Sequence, residues 1–271
     1  MKIRKRSVII LYFILAYFPI MAQSNPLIGW EQDINPDSHI AFKSNIIEFT
    51  LFGDTPIIQK ISYEYKEIDN ISYISLDYPG SWFSDDVNQG NQKWLILFNR
   101  NMLFAYPGEF TAPINQGIMG RYLYNIGISH FDYDADSFLQ EKSIAFAPEN
   151  LGITKTYSPW VEGVPGTGIG QKIYIRKGQL SARDITGLLI SNGFVSYEKP
   201  YLYSANSRVK RIKITNKSGS IEKTVDLIDS PNIQFLSLPE KSSDVIIEIL
   251  DTYPGSKWED TSINFIIPYE G

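Results

Sequence analysis

Residues 159–175 read PWVEGVPGTGIGQKIYI, with glycines at 163, 166, 168 and 170 running into an alternation of polar and apolar residues. A glycine-rich phosphate loop follows a strand and opens a helix, whose N-terminus holds the phosphate. Here Gly166 and Gly168 are followed at the third place by Gln171, so the dinucleotide spacing fails. Gly163 and Gly168 lead to Ile169 where a P-loop requires Lys. The QKIYI that follows has period two and predicts a strand. The stretch therefore implies a tight, close-packed loop entering a β-strand, and no nucleotide.

Downstream of this loop the pattern continues. QKIYIRKG, ARDITGLLISNGF, RVKRIKIT, IEKTVDLID, NIQFLSL, SDVIIEILDTY and TSINFIIP, with SFLQEKSIAFAP upstream, make about eight strand candidates separated by Gly, Pro, Asn or Ser turns. That spacing implies a β-sandwich or jelly roll. In the first half, IIEFTLF (46–52), KISYEYKEI (60–68), ISYISLDY (71–78), KWLILF (93–98) and MLFAY (102–106) each fit a half-buried strand. Short links between them, among them Gly53-Asp54 and Asp69-Asn70, imply an up-and-down antiparallel meander. With Trp30 near its start, this segment weakly resembles small lipocalin-like barrels. Residues 107–131 are irregular and rich in Pro and Gly, with RYLYNIGI (121–128) as a strand candidate. The expected organisation is a meander domain with its connector over 23–131 and a sandwich over 132–271, the latter able to fold alone.

The chain has 271 residues, 17 Tyr, 15 Phe, 5 Trp, no Cys and a net charge of -5. The charge gives no electrostatic reason to expect nucleic acid. The missing cysteines exclude disulfides and thiolate metal sites. Residues 1–22 run from basic Lys2–Arg6 through an apolar stretch to Ala22, the layout of a secretory signal peptide. The expected mature chain is exported, periplasmic, cell-surface or secreted, and meets the membrane only through this segment if it stays uncleaved.

The ordered motifs of the second half carry a family resemblance. Trp160, Glu162 and the spaced glycines form a Trp-x-Glu-Gly opening, and Asn192, Gly193 and Phe194 an Asn-Gly-aromatic step. Asn206 and Arg208 make an Asn-x-Arg step, and Tyr253, Gly255, Asp260 and Thr261 the closing motif. Together, over about 132–267, they resemble the discoidin-like domain attached to NAD glycohydrolases, also described as an NADase-type glycan-binding or translocation domain. Gln171 stands where that family usually has Glu, and Ser262 where Cys is common. The resemblance implies an all-β chain ending in a galactose-binding-like jelly roll, with glycan or cell-surface carbohydrate as partner. It does not imply NAD hydrolysis, because nothing upstream looks like a hydrolase half.

Candidate ligand-binding residues within these motifs are Trp258, Tyr203, Tyr253, Asn206, Arg208, Glu162 and Asp260. Arg donates in a planar fork, Asn and Asp pair with hydroxyls, and an exposed ring stacks on a sugar face. The competing role for the charged residues is a buried Arg–carboxylate network, with Arg208 tied to Glu162 or Asp260. Trp160, abutting the glycine turns, is expected in the core, and Trp258, in the polar stretch PGSKWEDT, is the expected exposed ring. His39 and His130 each lack a motif, and no local pattern proposes a nucleophile or a carboxylate pair, so no enzyme is expected. Asp132, Asp134 and Asp136 in DYDADS start like a calcium loop, but Ser137 and Ser143 occupy the places where an EF-hand needs Gly and Glu. Jelly-roll modules of this class often hold one structural calcium. That leaves an oxygen-ligand site open beside the alternative, a solvated acidic turn; no other cofactor is expected.

Overall fold

A computed structural model describes residues 25–35, 37–79, 89–100, 102–107, 131–178 and 183–270. The expected signal peptide over 1–22, His130 and the strand candidate over 121–128 lie outside the described residues.

The first half is a seven-stranded antiparallel meander in sequence order: β1 (Glu31–Asn35), β2 (Ser38–Phe42), β3 (Ile46–Leu51), β4 (Ile57–Ile68), β5 (Ile71–Tyr78), β6 (Gly90–Phe98) and β7 (Leu103–Pro107). Asp69 and Asn70 join β4 to β5 with φ of 50° and 66°. Two positive φ values make a two-residue turn whose twist matches that of the strands, and Asp and Asn tolerate them best after Gly. The sheet curls around an apolar core of Phe42, Ile47, Phe49, Tyr63, Ile74, Trp94 and Leu103. Trp30 closes it. Its ring meets Phe42 edge to face at 5.7 Å and its indole N–H donates to the Asn99 carbonyl between β6 and β7 at 2.8 Å. The start and end of the meander thus meet.

The second half contains β8 (Phe131–Ala135), β9 (Gln140–Glu141), β10 (Ile144–Ala145), a 3-10 turn (Pro148–Gly152), β11 (Trp160–Val161), β12 (Lys172–Lys177), β13 (Ile185–Asn192), helix α1 (Leu202–Ala205), β14 (Ser207–Thr215), β15 (Glu222–Asp226), β16 (Gln234–Ser242), β17 (Asp244–Tyr253) and β18 (Thr261–Glu270). Two layers face each other. One runs β16-β13-β18, with β11 added to β18; the other runs β14-β17-β12-β8, with β15 on the edge of β14. They are joined where the first residues of β14 run parallel to those of β18. Trp160, Ile173, Ile175, Leu188, Ile190, Val209, Ile212, Val245, Ile247 and Ile263 fill the space between them. This is the expected all-β architecture, a curled antiparallel sheet followed by a discoidin-like sandwich. Trp160 is fully buried, as expected.

Two expectations are corrected. KWLILF and MLFAY are not half-buried. In β6 Trp94 and Ile96 enter the meander's core, while Leu95 and Leu97 point the other way into a second cluster with Leu189, Val195, Tyr203, Ile233, Phe265 and Ile267. Ile71, Tyr73, Phe104 and Tyr106 join that cluster. The outer face of β5–β7 is therefore packed on the sandwich, and an unbroken apolar run is what a strand covered on both faces requires. Hydrogen bonds cross the same junction from Tyr73 Oη to the Tyr197 carbonyl at 3.1 Å, from Tyr106 Oη to the Thr154 carbonyl at 2.9 Å, and from the Ile233 N–H to the Phe98 carbonyl at 3.2 Å.

The second correction concerns DYDADS. Its first residues form β8 rather than a turn or calcium loop. Phe131, Tyr133 and Ala135 pack inward and the aspartates face out. Asp134 pairs with Arg176 at 3.3 Å, and Asp136 accepts from the Lys172 N–H at 3.0 Å and from Tyr174 Oη at 2.8 Å. Among the described residues no group of three or more His, Cys, Asp or Glu could hold a metal ion.

Candidate functional site

Four loops leave one end of the sandwich: residues 162–171 before β12, residues 193–206 carrying α1, residues 227–233 between β15 and β16, and residues 254–260 between β17 and β18. The register puts them together, because Asn192 pairs with Ile263 and Arg208 with Tyr253 at that end. All seven sequence-derived candidates lie on these loops or at the strand ends beside them.

Arg208, at the start of β14, is the tie that holds three of the loops. Its Nε and Nη2 donate to the two carboxylate oxygens of Asp229 at 3.1 and 2.7 Å. Its Nη1 donates to the carbonyls of Asn206 and Pro254 at 2.9 and 3.0 Å. The guanidinium lies 5.3 Å from the centre of the Tyr203 ring. A paired fork of this kind is among the stronger polar contacts available to a protein. The expected tie to Glu162 or Asp260 is corrected: the partner is Asp229, the last residue of the strand candidate IEKTVDLID, which lies past the end of β15 in the loop to β16 and carries no motif of its own. Burial pushes the Asp229 carboxyl up, but the hydrogen bonds from Arg208 and Tyr203 outweigh it and hold it below the usual carboxylate range. Gly193, with φ of +77°, lets the chain turn against this network; a Cβ there would stand 2.6 Å from the Tyr203 ring and 2.8 Å from Arg208 Cγ.

Tyr203 is fully buried, with its hydroxyl on Asp229 Oδ1 at 2.9 Å. Its ring cannot stack on a ligand, which corrects its assignment as a stacking residue. Asn206 is also buried and donates from Nδ2 to the Leu202 carbonyl at 2.8 Å, closing α1. These two residues shape the loops from below.

Glu162 sits under the glycine loop. It is fully buried, and Oε2 accepts from the Val164 N–H at 2.7 Å, whereas Oε1 has no partner among the described residues. Burial raises its carboxyl above the usual range, against the backbone donors, and the nearby Asp260 charge adds to the rise. Gly168, at φ of +64°, brings the loop so close that a Cβ would lie 2.6 Å from Glu162 Cγ. The loop wraps this side chain and then runs straight into β12, so no helix end faces it.

The residues left facing solvent are few. Trp258 is half-buried, its backbone N–H donating to the Ala205 carbonyl at 2.9 Å and its ring centre lying 4.3 Å from the Lys257 ammonium. Tyr253 is half-buried, with its hydroxyl on the Leu227 carbonyl at 3.0 Å. Asp260 is half-buried, and its carbonyl accepts from the Ser207 N–H at 3.0 Å. The sequence reading missed two exposed rings beside them, Tyr157 and Tyr201, each 47% exposed. Tyr157 holds φ of +74°, an uncommon strained conformation for an aromatic residue, and lies edge to face on Phe194 at 6.3 Å. No motif marks either residue, and exposure of a lone Tyr is not readable from its neighbours.

This is the architecture of a discoidin-like module, a rigid sandwich presenting loops at one end. Residues 123–268 match the family described as the NAD glycohydrolase translocation F5/8 type C domain, and because the match spans more than half of the chain, the chain belongs to that family. No curated protein matches it. Solved structures similar to it include CpGH89CBM32-5 from Clostridium perfringens, in complex with GalNAc-β-1,3-galactose, at 13% identity and a TM-score of 0.38, covering 53% of this chain and 98% of that one. The family 32 carbohydrate-binding module from Streptococcus pneumoniae EndoD is similar at 13% identity and a TM-score of 0.39, covering 52% and 96%. The arabinofuranosyltransferase AftD from Mycobacteria is similar at 15% identity and a TM-score of 0.33, covering 50% of this chain and 10% of that one.

Proposed function

We propose that this chain is an exported, non-catalytic glycan-binding protein whose contact surface is the loop end of its jelly roll. The observation that carries this is the set of partly exposed rings at that end: Tyr201 and Trp258 on loops that Arg208 ties together, Tyr253 at the end of β17, and Tyr157, which packs on Phe194 and donates its backbone N–H to the Val195 carbonyl of the 193–206 loop. A rigid ring with a polar neighbour suits a sugar, whose apolar face stacks while its hydroxyls find Lys257 and Asp260. Arg208, Asn206, Tyr203 and Glu162 then support the loops, and Trp258, Tyr253, Tyr157 and Asp260 make the contact. Loops fixed to a rigid scaffold are where binding residues concentrate.

A glycan array probed with the full chain tests the proposal, followed by Trp258→Ala and Tyr157→Ala. Binding to a defined glycan, lost in either variant at unchanged melting temperature, supports it. An array without signal overturns it in favour of the alternative, a protein-interaction or structural envelope module without a sugar site. That alternative has its own support in the β3–β4 hairpin, whose tip exposes Phe52, Ile57 and Ile58 at 48%, 57% and 57%. The non-catalytic part is checked separately by incubating NAD with the purified chain. NAD should persist, and turnover abolished by a point substitution in this chain would make it an enzyme.

A further inference from the structure

A groove of about 540 Å³ lies on the meander, away from the sandwich loops. It opens on the face of β4–β6 opposite the meander's core. Ser62 and Glu64 on β4, Ser75 and Asp77 on β5, and Asn91 and Lys93 on β6 line it. Register brings them into rows: Glu64 pairs with Ser75, Ser75 with Lys93, and Asp77 with Asn91. Among the described residues, the side chains of Ser62, Glu64, Ser75, Asp77 and Asn91 have no hydrogen-bond or ion-pair partner. Glu64 and Lys93 stand two strand spacings apart, roughly 10 Å between backbones, and do not pair.

The same face continues into the junction with the sandwich, and the junction gives the groove a fixed wall. The Lys93 ammonium lies over the Tyr73 ring at 3.9 Å and the Tyr197 ring at 5.5 Å, and Tyr197 Oη donates to the Lys93 carbonyl at 2.9 Å. One half of this sheet face is apolar and covered by the sandwich; the other half is polar and open.

We propose that this groove is a second ligand site, specific for a neutral oligosaccharide. Carboxylates only accept hydrogen bonds, an ammonium only donates, and hydroxyls and amides do both. A ligand meeting all of these side by side needs groups that donate and accept at close spacing, which adjacent sugar hydroxyls do. Counting the charges that face Lys93 as well as those of the lining, Glu64, Asp77 and Glu198 outnumber Lys93 and Lys66, a negative balance that disfavours an anionic sugar. A peptide main chain would instead seek a strand edge, and here the sheet offers side chains from its face. The volume lies within the range of small-molecule sites.

The test is a backbone NMR titration of the full chain with neutral oligosaccharides of glucose, galactose and N-acetylglucosamine, and with oligogalacturonate as the anionic counterpart. At least one neutral probe should shift the amides of residues 62–64, 75–77 and 91–93, and oligogalacturonate should not. The Glu64→Gln/Asp77→Asn double variant should bind that probe about tenfold or more weakly at unchanged melting temperature, since hydrogen bonds to charged groups are the strong ones. Trp258→Ala should leave these shifts intact, which separates this site from the loop end of the sandwich. No shift with any neutral probe, equal binding of oligogalacturonate, or unchanged affinity in the double variant overturns the proposal.

Discussion

Arg208 and Glu162 occupy the same end of the sandwich and have opposite electrostatic signs. The guanidinium of Arg208 is satisfied and holds the carboxyl of Asp229 below its usual range. The stability this supplies is present above the unfolded value of about 3.9 and is lost as pH falls through the lower folded value. The carboxyl of Glu162 is raised by burial. Its contribution is present below the unfolded value of about 4.3 and is lost as pH rises through the higher folded value. Arg208→Ala leaves Asp229 with the Tyr203 hydroxyl as its remaining side-chain donor and takes the guanidinium from the Asn206 and Pro254 carbonyls. It should cost about 3 kcal/mol, the low end for breaking a buried pair, because Asp229 keeps 33% of its side chain in solvent. Melting curves from pH 3 to 7 check all three statements. The gap between wild type and Asp229→Asn should shrink on acidification, and wild type should lose ground to Glu162→Gln as pH rises. Parallel curves for either variant would remove the assigned cause. Arg208 was recognisable from its motif as one member of a charged tie, but its partner was not, because Asp229 meets it only when the β15–β16 loop folds over β14.

At the level of elements, strand existence was legible for β3–β7 and β12–β18, whereas β1, β2 and β11 had no strand candidate, SFLQEKSIAFAP is the short β9–β10 hairpin rather than one strand, and the covering of strand faces was not legible. The glycine loop was readable because dinucleotide spacing and a following helix are both local properties. β8 was misread because acids at alternate positions suit both a calcium loop and the solvent face of a strand. Phe131, Tyr133 and Ala135 between them settle the matter, and their packing partners lie on β12 and β18. β6 was misread for a related reason: what lies on its second face comes from more than ninety residues away, at Leu189 and Phe265. The two-face packing has a direct consequence. Leu95→Ala and Leu97→Ala should each cost about 2–4 kcal/mol, as much as Ile96→Ala on the core side, since all three side chains are fully buried. Urea denaturation measures this. Near-neutral effects for Leu95 and Leu97 with a large effect for Ile96 would mean that the outer face of the meander is open in solution.

For the whole molecule, the junction sets how far the two halves are independent. The sandwich has its own core between its two layers, so the expectation that 132–271 folds alone is physically reasonable. The same fragment, however, would bare Leu189, Val195, Tyr203, Ile233, Phe265 and Ile267, which the whole chain covers with Ile71, Tyr73, Leu95, Leu97, Phe104 and Tyr106. Each such side chain loses about 1.5–3 kcal/mol of burial when fully exposed, and a contiguous apolar patch of this kind drives association. Tyr203 has a second role, since its hydroxyl holds Asp229 and thereby the binding loops. We therefore expect the isolated fragment to fold with native-like β content, to melt below the full chain, to self-associate, and to bind more of a hydrophobic dye than the full chain does. Its affinity for any glycan bound at the loop end should fall as well, because the floor of those loops is part of the exposed cluster. Circular dichroism, dye fluorescence and light scattering on the fragment and the full chain decide this. A monomeric fragment with the full chain's melting temperature, no added dye binding and undiminished glycan affinity would show that the apolar junction contributes nothing to the sandwich. The meander would then be a tethered neighbour rather than the third layer of one folded body.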